Sequence, residues 1–182
     1  MISQHIIWVG IIILALGLYG VVRFWPEGGL AKTFSQHVAP YKAGVLYYIA
    51  LFTITLPIFG IFFFGWFIPY YQPAALFSLM IAIALSAQYA CTFVPEVGKT
   101  QALIHRSFAL LSAVALLLSM GVLVFTGTFS LFDRIVLDVG LVAMAALLAW
   151  MIATGAEHKK ILLIQSGYFF AFFATIAFVV GV

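Results

Sequence analysis

Residues 107–127 read SFALLSAVALLLSMGVLVFTG, a stretch with no charged side chain. About 20 apolar residues in a helix cross the roughly 30 Å of hydrocarbon in a bilayer. The apolar positions run on continuously and do not alternate as the strands of a membrane barrel would. In lipid each backbone amide needs a partner within its own segment or in a closed sheet, so the stretch reads as a transmembrane helix. Extended to about 105–127, it is one of six such runs. The others cover about 4–25, 44–68, 74–95, 131–153 and 160–182. The expected fold is therefore all-α: a polytopic membrane protein in which six transmembrane helices form a single domain over residues 1–182. A soluble six-helix bundle is excluded, because 66% hydrophobic against 7% charged residues leaves no helix with a charged face.

The charges give the runs a direction. Arg23, Lys32 and Lys42 fall between the first and second helices, Lys99 and Arg106 at the third-to-fourth junction, and Lys159 and Lys160 before the sixth. Only Arg134 falls on the other side. Short loops rich in Lys and Arg stay cytoplasmic, so both termini are expected on the exoplasmic or periplasmic side. Helix 1 reads as a retained anchor, since Met1 to His5 lacks a basic n-region and Arg23 closes the far end of the run. The expected location is a prokaryotic inner (cytoplasmic) membrane. The net charge of +3 comes from the orienting loops and calls for no nucleic-acid partner. Membrane lipids are the expected partners, with a second copy or another membrane protein as the alternative.

Local signals are sparser. Pro57 inside helix 2 should bend it, and Ile68 to Pro73 reads as a tight outer turn. Phe34, Val38 and Tyr41 have the spacing of a short amphipathic helix lying in the interface. Gly17 and Gly20, and Ala109, Ser112, Ala113 and Ser119, offer small surfaces for close helix packing. Lone Cys91 allows neither an intramolecular disulfide nor a thiolate metal cage. None of His5, His37, His105 or His158 is at mid-membrane, which argues against haem, and every Lys is in a loop, which argues against a retinal Schiff base. No cofactor and no metal site is expected.

Two polar constellations remain. Within the membrane, Asp138 has Arg134 four positions earlier, the spacing of a helical ion pair, while Gln88 and Gln165 have the character of interhelical hydrogen-bond glue. An intramembrane carboxylate with two amides would also suit a small proton-coupled carrier, if all three faced one cavity. At the basic side, Glu96, Lys99, His105 and Arg106 are brought together by the third-to-fourth junction, with His37, Glu157 and His158 on the neighbouring loops. Such a group could coordinate a metal, hold a lipid phosphate or perform acid–base chemistry near pH 7, and it is also explained by solvated loop residues with an ion pair between helices 3 and 4. Catalysis would need a nucleophile or metal beside His105, and no Ser, Cys or carboxylate pattern names one.

The junction Thr92-Phe93-Val94-Pro95-Glu96-Val97-Gly98-Lys99, followed by Ile104-His105-Arg106-Ser107-Phe108-Ala109, resembles a prokaryotic membrane family catalogued as domain of unknown function 998. Leu162 to Ser166 with Tyr168 and Phe169 is similar to its C-terminal pattern. That family is distantly similar to DRAM-type and GPI-lipid-remodelling membrane proteins. The resemblance covers helices 3 to 6; it implies a six-helix fold, a link to lipids, and Glu96, His105 and Arg106 as the residues to follow. The first loop departs from the family, being short and basic where the family's is long and outside. The expected function is lipid binding or handling at the inner-leaflet rim; the alternatives are a carrier using Asp138 or a structural subunit of a membrane complex.

Overall fold

The computed structural model describes residues 3–155 and 158–181, and among these it is built of helices with no strand. They are α1 (Ile6–Phe24), the short α2 (Phe34–Val38), α3 (Lys42–Tyr71), α4 (Ala75–Phe93), α5 (Gly98–Thr126), α6 (Leu131–Thr154) and α7 (Ile161–Val179). All except α2 are long and apolar enough to span a bilayer, which gives six candidate transmembrane helices and makes this an integral membrane protein.

Successive spans pack side by side, and α7 returns to touch α1, closing a ring whose thinnest seam is α1 against α7. The loops after α1, α4 and α6 gather at one end, here the basic end. Hydrogen bonds from Ser35 to Glu96 and from the Phe34 amide to Gln165 hold the first two of these loops and the start of α7 together. At the opposite end the Tyr71 hydroxyl donates to the Val179 carbonyl at 2.9 Å.

The half of the bundle nearest that opposite end is filled by aromatic rings. Phe59 stacks on Phe173 at 4.4 Å, Phe67 meets Phe77 at 5.4 Å, and Phe63 meets Phe172 at 6.1 Å. These centroid separations are those of favourable aromatic pairs. Phe59, Phe63, Phe67, Phe77 and Phe172 are all fully buried. The half toward the basic end has smaller side chains and is not filled.

Three boundaries differ from expectation. The helix α5 begins at Gly98, about two turns before the apolar run, because a helix need not stop where the membrane does: Lys99, Thr100 and Gln101 continue it into water. Gly98 has φ 65°, a left-handed conformation that only glycine adopts without strain, and it turns the chain from the loop into the helix. At the other end of the bundle, α3 passes through Pro69 to Tyr71 where a turn was expected, and Pro57 is accommodated inside it. A π-helical turn at Phe63–Phe67 precedes Pro69, which then sits in the first turn of a fresh α segment, where its missing N–H is not needed. The third difference is α2. It forms, ending at Val38 before Tyr41, and its apolar Phe34 and Val38 are buried against the bundle, so it is a packed element of the fold. A capping box fixes its start: the Gln36 amide donates to Thr33 Oγ1, and the Thr33 amide donates to Gln36 Oε1 at 3.0 Å.

Gly10, Gly17 and Gly20 turn their bare Cα atoms toward α3. A Cβ on Gly17 would lie 2.2 Å from Leu51 Cδ1, and the Tyr47 hydroxyl donates to the Gly17 carbonyl across the same contact at 3.1 Å. Gly17→Val should therefore destabilise the bundle by about 1–3 kcal/mol, the usual range for overpacking. Half-buried Gly60, also helical, has only open space where a Cβ would stand, so Gly60→Ala should be neutral or stabilising by up to about 1 kcal/mol. Reversible unfolding in detergent, with Gly17→Val/Leu51→Ala as the rescuing pair, checks both values.

Candidate functional site

Glu96 is the hub of the basic end. Its side chain is only 2% exposed, and it leaves the α4–α5 loop to accept four hydrogen bonds. Oε2 accepts from Ser35 Oγ at 2.8 Å and Thr33 Oγ1 at 3.2 Å, while Oε1 accepts from Gln36 Nε2 at 3.0 Å and Arg106 Nε at 2.6 Å. A buried carboxylate needs such saturation, because desolvation without partners would cost several kcal/mol. Glu96 thus latches α2 to the α4–α5 hairpin. Arg106 behaves differently: its side chain is 48% exposed, so the guanidinium covers Glu96 with one edge and presents the other outward.

Beneath this pair lies a cavity of about 340 Å³ in the unfilled half of the bundle. Its rim carries Thr33, Ser35, Glu96 and Arg106, and its walls are mostly apolar, with Ala109, Ala113, Ile161 and Phe169 among them. Exposed Ile152 and Leu110 also border it, so it reaches the bundle surface between α5 and α6. On the far side, Phe169 separates it from an apolar groove of about 560 Å³ along the thin seam between α1 and α7.

Two amides face the cavity. Gln165 Oε1 accepts from the Phe34 amide at 3.3 Å, joining α7 to α2, which is the connecting role expected of it. Gln88 is only 8% exposed, and among the described residues its side-chain amide has no hydrogen-bond partner. No fully occluded side-chain polar atom is left unpaired among those residues, so the remaining exposure of the Gln88 amide is toward the cavity it lines. An amide in that position has hydrogen-bonding capacity left for water or for a polar ligand atom. The interhelical hydrogen bonds are made by others: Ser112 Oγ donates to the Ala84 carbonyl at 3.0 Å, and the Tyr168 hydroxyl to the Ala113 carbonyl at 2.5 Å.

His105 is buried below the rim. Its Nδ1 donates to the Val94 carbonyl at 2.6 Å, and the sulfur of Cys91 lies 3.4 Å from Nε2 and 3.5 Å from Nδ1. The structure therefore places beside His105 a thiol that the sequence pattern did not single out. Lys99 is exposed and does not line the cavity. Of the four residues expected at this junction, Glu96 and Arg106 form the rim, His105 lies beneath it, and Lys99 stands apart.

The remaining histidines do not converge. The ring nitrogens of buried His37 lie 2.6 Å from the Trp25 carbonyl and 3.0 Å from that of Gly29, tying the first loop together. His158 packs on Trp150 and accepts from the Lys160 amide, and Glu157 lies outside the described residues. Among the described residues no three His, Cys, Asp or Glu side chains are grouped as metal ligands. Arg134 and Asp138 do not form the expected ion pair: both are on the outward surface of α6, and Arg106–Glu96 is the salt bridge found among the described residues. Arg134 is close enough to the helix start to reach toward water, which draws it away from Asp138. Gln88 and Gln165 share a cavity, but Asp138 is not part of its lining.

No family model, curated protein or solved structure matches this chain.

Proposed function

We propose that the protein binds an anionic membrane lipid in this cavity, with the headgroup at Arg106 and an acyl chain along the apolar wall toward Phe169. The observation that carries the reading is the gradient along one void. It has the free edge of a guanidinium at the rim, beside a Glu96 carboxylate already saturated by Thr33, Ser35, Gln36 and Arg106, then an unpartnered amide at Gln88 one level down and apolar walls below, which is the order of phosphate, ester and hydrocarbon in a phospholipid. The opening between α5 and α6 lets such a molecule enter from the side. We take the basic end as cytoplasmic on the charge bias of the loops, which puts the rim at the inner leaflet of what we take to be a prokaryotic inner membrane. Lys159 and Lys160 at the same end add about 1 kcal/mol each to the attraction of an anionic surface. A carrier path through Asp138 gains no support, since Asp138 is off the cavity and aromatic rings fill the half of the bundle beyond it.

Native mass spectrometry of protein incubated with phosphatidylglycerol or phosphatidylcholine tests the proposal. Wild type should retain phosphatidylglycerol preferentially. Arg106→Ala should lower that retention about tenfold, equivalent to about 1.4 kcal/mol, and Gln88→Leu should weaken retention of both lipids. Equal retention by all three proteins would refute the proposal.

A further inference from the structure

The same cavity brings together a thiol, an imidazole and an unpaired amide. Gln88 and Cys91 are three residues apart on α4 and therefore neighbours on one helix face, and both line the cavity with His105 opposite. His105 Nδ1–H donates to the Val94 carbonyl at 2.6 Å, which leaves the Nε2 lone pair free as a base. Cys91 Sγ is 3.4 Å from that nitrogen and 3.5 Å from the other. Near-equal distances put the sulfur over the ring, where its S–H donates to the His105 carbonyl at 3.5 Å, so proton transfer to Nε2 requires the thiol to turn from that carbonyl.

We propose that Cys91 is the nucleophile of an acyl-transfer step, with His105 as its base, the Gln88 amide as donor to the acyl carbonyl oxygen, and the bound phospholipid as acyl donor. This rests on the lipid-binding reading above. His105 Nε2 takes the thiol proton, and the sulfur bonds to the carbonyl carbon of the ester. The oxyanion so formed is held by the Gln88 N–H. The ester C–O bond then breaks, the glycerol oxygen takes the proton from Nε2, and a lysophospholipid leaves with Cys91 as an S-acyl thioester. A nucleophile, an oriented base and an oxyanion donor on one side of a bound carbonyl are the parts such a step requires. The rim at Arg106, the residue next to His105, sets the phosphate on the water side of the ester.

The test is intact-protein and peptide mass spectrometry after incubation with phosphatidylglycerol vesicles carrying isotopically labelled acyl chains, and separately with a long-chain acyl-coenzyme A. The expected result is one labelled acyl chain on Cys91, removed by neutral hydroxylamine, with lysophosphatidylglycerol formed in equal amount. Cys91→Ala should abolish it. His105→Gln should slow it by about 10²-fold or more, and Gln88→Leu by about 10²-fold. Retained phospholipid with no adduct on wild-type Cys91 would overturn the chemistry and leave lipid binding standing. Absence of retained phospholipid would overturn both. Acylation from the coenzyme A ester alone would overturn the assignment of the donor.

Discussion

Glu96→Ala should lower the unfolding free energy by about 3 kcal/mol, the largest single-residue effect expected outside the apolar core. The substitution removes one acceptor and strands four donors at once: two hydroxyls, the Gln36 amide and the Arg106 guanidinium. Not all of the gross interaction is lost, because half-exposed Arg106 can turn to water, where an ion pair contributes little. Glu96→Gln keeps one acceptor oxygen and should cost roughly half as much. Arg106→Ala should cost less than Glu96→Ala, about 1–2 kcal/mol, since Glu96 keeps three donors. Reversible unfolding in detergent ranks the three. A Glu96→Ala protein as stable as wild type would show that the latch of α2 onto the α4–α5 hairpin contributes nothing. If the latch holds the rim in place, the same variant should also lose lipid.

Filling the cavity should have the opposite profile, with loss of ligand and little loss of fold. Ala109 is half-buried on α5 and lines the void. An indole there occupies cavity space, so it does not face the overpacking cost that Gly17→Val meets at Leu51. Ala109→Trp should reduce retention of phosphatidylglycerol at least about tenfold while leaving the unfolding midpoint near wild type. The contrast separates a cavity that holds lipid from one that is merely a packing defect. Filling a packing defect would raise stability and leave lipid retention unchanged.

The hydropathy of the chain was enough to locate six spans, because lipid imposes the same length and apolarity on every crossing. What it could not supply was register between helices. The apolar runs end at about 95 and begin again at about 105, which puts the hairpin's midpoint near residue 100 and sets Cys91 opposite Ala109. In the structure the chain turns at Gly98, and Cys91 and His105 lie seven residues on either side of it. Ala84 and Ser112 lie fourteen on either side and are hydrogen-bonded. A shift of two residues therefore hid the thiol beside the imidazole. The legible signal was Gly98 itself, a residue suited to a turn; its left-handed conformation is seen only in the structure.

The rim was partly legible. Glu96 and Arg106 were expected together from a short loop, and they meet at 2.6 Å. That Thr33, Ser35 and Gln36 complete the carboxylate's shell was not legible, because they come from a segment some 60 residues earlier in the chain whose only mark was the Phe34–Val38 spacing. The same holds for Gln88. Its type suggests glue between helices, and only the three-dimensional arrangement shows that Ser112 and Tyr168 make those bonds and leave the amide facing a void. Asp138 illustrates the converse: the Arg134 spacing is right for an ion pair, yet spacing alone does not overcome the pull of water on an arginine near a helix start.

The most direct measurement is photocrosslinking in vesicles with a phosphatidylglycerol that carries a diazirine on its acyl chain, followed by peptide mapping. Lipid bound as proposed predicts crosslinks concentrated on cavity-lining Ala113, Tyr168 and Phe169 and lost in Ala109→Trp. Crosslinks confined to outward-facing residues such as Val139 and Val142 of α6, unchanged by that substitution, would contradict it.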